Sequence, residues 1–462
     1  MKHLPFALAA LSFAIPAHAQ DKPGPGMGQG IAVAADRALA GDAVAWDFLE
    51  GITTEVGPRQ AGTEREAQAR AFASAWLKRN GFERVAIEPY VMDTWVRGEE
   101  RAEVTAPFQQ PMRITALGNS AATPPQGMVA EVVRFTSYAQ LQAAPDGSLA
   151  GKIAYITHAM RPTQDGSGYG FAGPARWTGP SVAASKGAIA TVIRSIGTEN
   201  HRTPHTGNTT FAEGVKPIPA GALSNPDADT LDRVFVHGNG APVMMKLLLT
   251  PRRLGNTQSG NVVAEIAGTN PKLPPVLLGC HLDSWDLGTG AIDDGAGCAI
   301  IAAAAKAVAG SGRPLRTIRI LFAGAEEVGV WGGNAYAKAH AAEPLAVAIE
   351  SDFGADRIWR FDSNFAAGNK PLHDRLVQAV ARFGVAGSTE VASGGEDIGI
   401  ARDQKTAIID LQQDGTRYFD LHHTPDDTLD KVDPAQLRQN VAVWTQVVGE
   451  LANEPGPIAT AR

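Results

Sequence analysis

Between residues 275 and 411 the chain carries four short, largely apolar runs, at 275–280, 317–322, 345–349 and 406–411, and each stops at acidic or imidazole side chains. Helix-period stretches at 297–308, 334–342 and 371–383 lie between them. Strands that are apolar on both faces and alternate with helices must be covered on both sides, so the expected class is α/β, a mostly parallel sheet between helix layers. In such sheets the functional site gathers at the carboxyl ends of the strands.

The flanking sequence has a different texture. Residues 34–52 and 63–80 have helical periodicity, the second ending at Gly81, and residues 85–104 turn to a strand pattern. From about 112 to 249 come short apolar runs with many Gly and Pro, including strands at 153–156 and 188–193 and a helix at 181–186, which reads as a separate β-rich unit. A last helix opens with Asp433 as N-cap and Pro434 in its first turn and runs to about Leu451. The expected division is 1–19, 20–111, 112–250 and 251–462, in keeping with a 462-residue chain of one to three domains.

Residues 1–19 have the form of an export signal: Lys2, an apolar run over 4–15, and Ala17-His18-Ala19 as the cleavage site. The mature chain is then exported, periplasmic or secreted, and starts with a mobile Gly- and Pro-rich stretch at 21–26. Net charge is −7, or −8 without Lys2, and no run of Lys or Arg is present, which argues against nucleic acid as a partner. No later apolar stretch approaches membrane-spanning length, so no stable membrane insertion is expected. Cys280 and Cys298, the two cysteines, fall on a strand and on the next helix, and their pairing stays open, with two reduced, buried residues favoured over a bridge.

The strand ends hold the chemistry. The first strand runs into His281-Leu282-Asp283-Ser284, followed at the mouth of the next helix by Asp293-Asp294-Gly295. Beyond the second come Glu326-Glu327, beyond the third Glu350-Ser351-Asp352, and beyond the fourth His422-His423-Thr424-Pro425-Asp426-Asp427-Thr428. Singly, these are ordinary surface histidines, helix starts and turns. Converging at one edge of a sheet, they must be paired, solvated or bound to a cation, because burying bare charge costs several kcal/mol each. Two imidazoles with three or more carboxylates suit two metal ions sharing one carboxylate better than one ion, and zinc suits the donor types best, with manganese and cobalt also compatible. Asp283 shares a strand face with His281 and can accept its free ring N–H. Glu326 and Glu327 point apart, so that one can ligate metal while the other acts as base.

Five blocks, Gly279 to Ser284, Gly288 to Gly297, Ala325-Glu326-Glu327, Glu350-Ser351-Asp352 and His423 to Thr428, resemble the motifs of the co-catalytic zinc exopeptidases, which include secreted bacterial aminopeptidases and glutamate carboxypeptidases. Ser284-Trp285-Asp286, Arg97-Gly98-Glu99-Glu100 and Pro204-His205-Thr206-Gly207 bring the chain nearest to the plasma glutamate carboxypeptidase branch. The resemblance spans about 57–451. It implies two Zn2+ per chain, with His281 and Asp352 on one, Glu327 and His423 on the other, and Asp293 bridging. It also implies Glu326 as general base acting on a metal-bridging water, Asp283 as partner of His281, small peptides or dipeptides as substrates, a homodimer, and a protease-associated type of inserted domain that narrows the site. Where the glutamate carboxypeptidases have an oxyanion-stabilising tyrosine, this chain has His422, as does the plasma branch, and His422 is expected to donate to the tetrahedral intermediate.

Two rivals share the scaffold: a non-catalytic receptor of the transferrin-receptor kind, which would lack much of the ligand set, and a glutaminyl cyclase, which would use one zinc and no insert. Which substrate terminus is read stays open. Glu396, Asp397 and Asp286 are candidates for an ammonium, and Arg194, Arg202 and Arg417 for a carboxylate.

Overall fold

The computed structural model describes residues 27–461, and the signal and the 21–26 stretch lie outside them. The central sheet has eight strands: β1 (Glu83–Val96), β2 (Arg252–Ile266), β3 (Val276–His281), β4 (Ile318–Ala323), β5 (Val347–Glu350), β6 (Ile358–Ser363), β7 (Ala386–Gly387) and β8 (Ala407–Gln413). Their order is β1-β2-β4-β3-β5-β8-β6-β7. The four apolar runs of the sequence are the four central strands β4, β3, β5 and β8, and all three ladders among them are parallel. Outside them the expectation of a mostly parallel sheet gives way to a mixed one, since β1, β2 and β6 join antiparallel. The pattern of β1 explains its place at the edge: its first nine residues are exposed or half-buried, which an antiparallel strand with one solvated face tolerates.

Helices α1 (Met27–Gly41), α2 (Val44–Gly51), α3 (Glu64–Arg79), α4 (Ala296–Gly310), α5 (Trp331–Ala339), α6 (Lys370–Ala381) and α7 (Pro434–Ala452) cover this sheet. Alanine-rich α4 is buried from Ala296 to Ala305, its small side chains letting α1, α2 and α7 approach it closely. Asp433 caps α7 as expected, accepting from the N–H groups of Ala435 and Gln436. The helix expected at 34–52 is instead two, α1 and α2, because Asp42 interrupts it and its carboxylate accepts from Ala45 N–H at 2.9 Å, capping the second.

The strand expected over 85–104 is also two. After Val96 the chain leaves the central sheet, and Glu100–Ala106 belongs to another. Gly98 permits that departure, since a Cβ there would lie 1.9 Å from the carbonyl oxygen of Thr250, where the chain returns. The second sheet is built wholly from residues 100–249. Its strands, in spatial order, are Gln110–Met112, Glu100–Ala106, Met244–Leu249, Met128–Phe135, Ile153–Ile156, Ala190–Arg194, Ala220–Leu223 and Ile114–Ala116. Short helices at Ser167–Ala172, Pro174–Trp177 and Gly179–Ser185 accompany it. Among the described residues no helix is long and apolar enough to cross a membrane.

The cysteines correct the sequence reading: Cys280 and Cys298 form a disulfide. The turn at Asp293–Gly295 folds the start of α4 back against the end of β3, leaving the two Cα atoms 5.3 Å apart, a distance a bridge spans.

Candidate metal centre and cleft

His281 ends β3, Glu326 and Glu327 sit in the turn after β4, Asp352 follows β5, and His422 and His423 follow the short helix Tyr418–Leu421 beyond β8. The three parallel ladders put these ends at one edge of the sheet, and the turn holding Asp293 crosses in front of it. Asp293 and Asp294 are joined by a cis peptide bond, which the sequence does not reveal.

Asp293 stands between two imidazoles. His281 Nδ1 lies 3.0 Å from the backbone carbonyl oxygen of Asp283, so that nitrogen carries the hydrogen and donates, while Nε2 faces Asp293 Oδ1 at 3.1 Å and Asp352 Oδ1 at 3.3 Å. His423 repeats the pattern: Nδ1 lies 3.2 Å from the carbonyl oxygen of Thr206, and Nε2 faces Asp293 Oδ2 at 3.2 Å and Glu327 Oε2 at 2.9 Å. In each case an imidazole nitrogen confronts two carboxylate oxygens, an arrangement that calls for positive charge between them: a metal ion at both, or a proton at His281, where burial is outweighed by Asp352, Asp283 and Asp293, which hold the ring well above its ordinary range. Asp293 Oδ2 and Glu327 Oε1 are buried with no hydrogen-bond donor. Donor atoms around a tetrahedral zinc lie roughly 3.3 Å apart, close to the spacings here. The donors present therefore fit divalent metal, with Asp293 offering one oxygen to each side.

The outer contacts differ in one respect from the sequence reading. The Asp283 carboxylate, expected to take the ring N–H of His281, is 3.7 Å from it, and its Oδ1 accepts from the backbone N–H of Glu326 at 3.0 Å. Asp283 thus serves His281 through its carbonyl and the Glu326 turn through its carboxylate. Asp294 accepts from the N–H groups of His281 and Gly297, and Asp427 from that of Ile292 at 2.6 Å. Burial pushes the carboxyls of Glu326, Glu327 and Asp294 well above the ordinary range. At Asp293 burial acts the same way, but the imidazoles of His281, His423 and His422 beside it outweigh burial and hold that carboxyl well below in the metal-free protein.

Sequence reasoning passed over Arg59. Its side chain is fully buried and donates to three carbonyl oxygens, of Leu282 at 2.5 Å, Thr289 at 2.6 Å and Gly290 at 2.8 Å, fastening the loop between His281 and Asp293. Arg97, in contrast, lay in a motif already singled out, and it joins all three motifs of that branch: it pairs with Asp286 and Glu100 and donates to Thr206 Oγ1.

A cleft of about 560 Å3 opens on Asp293, Glu326, Glu327, Asp352, His422 and His423. Residues 100–249 contribute Tyr169, Arg176, Trp177 and Asn208 to its wall, and the central unit Val330, Phe353, Glu396 and Tyr418. The His422 ring stacks on His423 with centroids 3.5 Å apart, its Nε2 3.7 Å from Asp293 Oδ2. Burial and the neighbouring His423 push His422 well down, leaving a neutral ring.

Of the terminus-binding candidates, Arg194 is engaged by Asp229 and Asp232, Arg202 by Asp227, Arg417 by Asp356 and Asp286 by Arg97. Asp397 is buried, and Glu396 lines the cleft with Arg402 3.6 Å from its carboxylate. The cation on the cleft wall is Arg176, which the sequence reading missed. It is buried, donates to Tyr169 Oη and to the carbonyl of Thr206, and pairs with no carboxylate among the described residues. Gly207, at φ +133°, makes room for its guanidinium.

A mixed α/β fold with imidazoles and carboxylates gathered at its strand ends is that of a metallopeptidase. The chain belongs to peptidase family M28, whose model matches residues 261–448. It is 33% identical to carboxypeptidase Q of Bos taurus over 410 residues, covering 87% of this chain and 84% of that protein. The crystal structure of a peptidase M28 precursor from Shewanella amazonensis SB2B superposes with a TM-score of 0.90 at 43% identity, covering 94% of this chain and 98% of the other. A zinc aminopeptidase from Bacillus subtilis shares the fold at TM-score 0.64 and 19% identity, covering 89% and 95%.

Proposed function

We propose that the protein is an exported, dinuclear zinc exopeptidase acting on small peptides, free dipeptides above all. The observation that carries this reading is the pair of imidazoles that each turn Nε2 toward the shared carboxylate of Asp293. His281 and Asp352 would hold one ion, Glu327 and His423 the other, and Asp293 both. When bound, the two ions supply Lewis acidity that polarises the scissile carbonyl and lowers the pKa of the attacking water.

The chain's own groups do the rest. Glu326, on the cleft wall with a carboxyl that burial makes more basic, takes the proton of the attacking water and passes it to the leaving amine. Neutral His422 donates to the oxygen on which negative charge develops. Arg176 pairs with the carboxylate of the substrate and Glu396 with its ammonium, each from a different unit of the molecule, which favours peptides with both termini free. The unit of residues 100–249 acts as the protease-associated type of wall that narrows the cleft, and the disulfide suits an oxidising compartment.

The test is hydrolysis of free dipeptides, N-blocked peptides and C-amidated peptides, with and without chelator, alongside metal analysis. Chelator-sensitive cleavage of free dipeptides and two ions per chain are expected. Equal cleavage of N-blocked and free peptides would overturn the two-terminus reading, and one ion per chain the dinuclear one.

A further inference from the structure

His423 has φ +63°, a left-handed conformation that a residue with a Cβ rarely adopts. Such a backbone persists only when its surroundings hold it there. The surroundings come from residues 199–206, in the unit outside the central sheet. His205 is fully buried, with Nδ1 2.6 Å from the carbonyl oxygen of His422 and Nε2 2.6 Å from Glu199 Oε2. The carbonyl can only accept, so Nδ1 donates to it. Nε2 shares a hydrogen with the Glu199 carboxylate, whose other oxygen accepts from Asn225 Nδ2 at 3.2 Å. Next in sequence, Thr206 donates its N–H to the carbonyl oxygen of His423 at 3.1 Å and accepts from His423 Nδ1 at 3.2 Å. Both peptide carbonyls of the His422-His423 turn are thus held by one short loop, which shares the rear of the His423 ring with Arg176, whose Nη1 lies 3.4 Å from His423 Nδ1.

We propose that Glu199 and His205 are positioning residues: they hold the His422-His423 turn in its left-handed form and so aim His423 Nε2 at the cation shared with Glu327. This inference rests on the metal reading above but concerns how the second unit contributes to the site without touching substrate. Loss of an outer contact to a metal-binding histidine typically weakens binding 10- to 100-fold. In Glu199→Met the ring of His205 loses the hydrogen-bonding group that orients it, and in His205→Phe the bond to His422 is lost with the ring shape kept.

The experiment is titration of metal-free full-length protein with Zn2+ against a competing chelator, with Co2+ absorption spectra recorded in parallel. Wild type is expected to take up two ions. Each variant is expected to bind one of them about 10- to 100-fold more weakly, with an altered Co2+ spectrum for that ion alone, and with the melting temperature of the metal-free protein within a few degrees of wild type. Should His205→Phe fail to fold, Glu199→Met, of similar length and without a group that can bond Nε2, decides the question. Two ions bound with unchanged affinity and unchanged spectra in a folded variant would overturn the positioning role and leave the metal reading intact. Absence of any divalent-ion binding by wild type would overturn both.

Discussion

At the scale of single residues, the positions of Glu326 and Glu327 differ in a way that suits the two roles proposed for them and that their adjacency alone left open. Glu327 Oε2 lies 2.9 Å from His423 Nε2, whereas Glu326 faces the cleft with its backbone tied to Asp283. Glu326→Gln is therefore expected to keep both ions, since no proposed ligand is touched, and to lower kcat by about 10²–10⁴, the usual worth of a general base. Metal analysis beside turnover checks this, and a variant with near wild-type kcat would remove Glu326 from the chemistry. Arg59 makes the opposite case, a residue that touches no reacting atom. Replacing it with Met strands the carbonyls of Leu282, Thr289 and Gly290 in the interior, so unfolding free energy is expected to fall by about 3–5 kcal/mol in denaturant titration. The proposed ligands could be picked out in the sequence because His, Asp and Glu at strand ends have few other uses in combination. Arg59 was not, because its partners are backbone carbonyls more than 220 positions away, and a sequence does not display which carbonyls will be buried.

At the scale of elements, the strands that could be read were those apolar on every face, and these are the four parallel ones that position the site. Elements whose limits depend on a partner were misread. The helix at 34–52 breaks where Asp42 finds the Ala45 N–H, and the strand at 85–104 divides where Gly98 lets the returning Thr250 pass. The cysteines show the same limit, since whether two residues on successive elements can bond depends on the turn between them. That turn is also the one that presents Asp293, so the bridge joins the end of β3 beside His281 to the first turn of α4 beside Asp294. For a sequence separation of 18 the chain-entropy effect is about 3 kcal/mol. The double variant Cys280→Ala/Cys298→Ala is expected to be less stable by about that amount in denaturant unfolding, and to bind zinc more weakly because Asp293 loses its anchored frame. Unchanged stability on breaking the bridge would mean that the β3 to α4 connection is held by packing alone.

At the scale of the whole molecule, the site gathers more buried carboxyl groups than its own cations can balance, which couples metal content to stability. Burial raises Glu350 from 4.5 to about 8 and Asp427 from 3.8 to about 7. Glu326, Glu327, Asp294 and Asp397 are pushed well up by the same cause. In the unfolded chain these groups titrate near pH 4, so between about pH 4 and 8 the folded metal-free protein binds more protons than the unfolded one. Stability is then highest at the acid end of that window and is lost as pH rises through the folded values. His422 and His423, pushed down by burial, act in the reverse sense as pH rises through 6.5, but they are two groups against seven carboxyls, Asp352 included, and against His281, which its carboxylate neighbours hold well up despite burial. The depressed carboxyl of Asp293 exerts its effect only below this window. The metal-free protein is therefore expected to melt at a lower temperature at pH 8 than at pH 5. Two zinc ions supply the charge that protons supply at pH 5, and each adds about 2.7 kcal/mol at a hundredfold excess over its Kd. Their effect must be greatest where protons are scarce, so scanning calorimetry at the two pH values, with zinc and with chelator, should show zinc raising the melting temperature far more at pH 8 than at pH 5. An equal rise at both, or a metal-free protein that grows more stable toward pH 8, would mean that these carboxyls are compensated within the fold and that the strand ends were not built around cations.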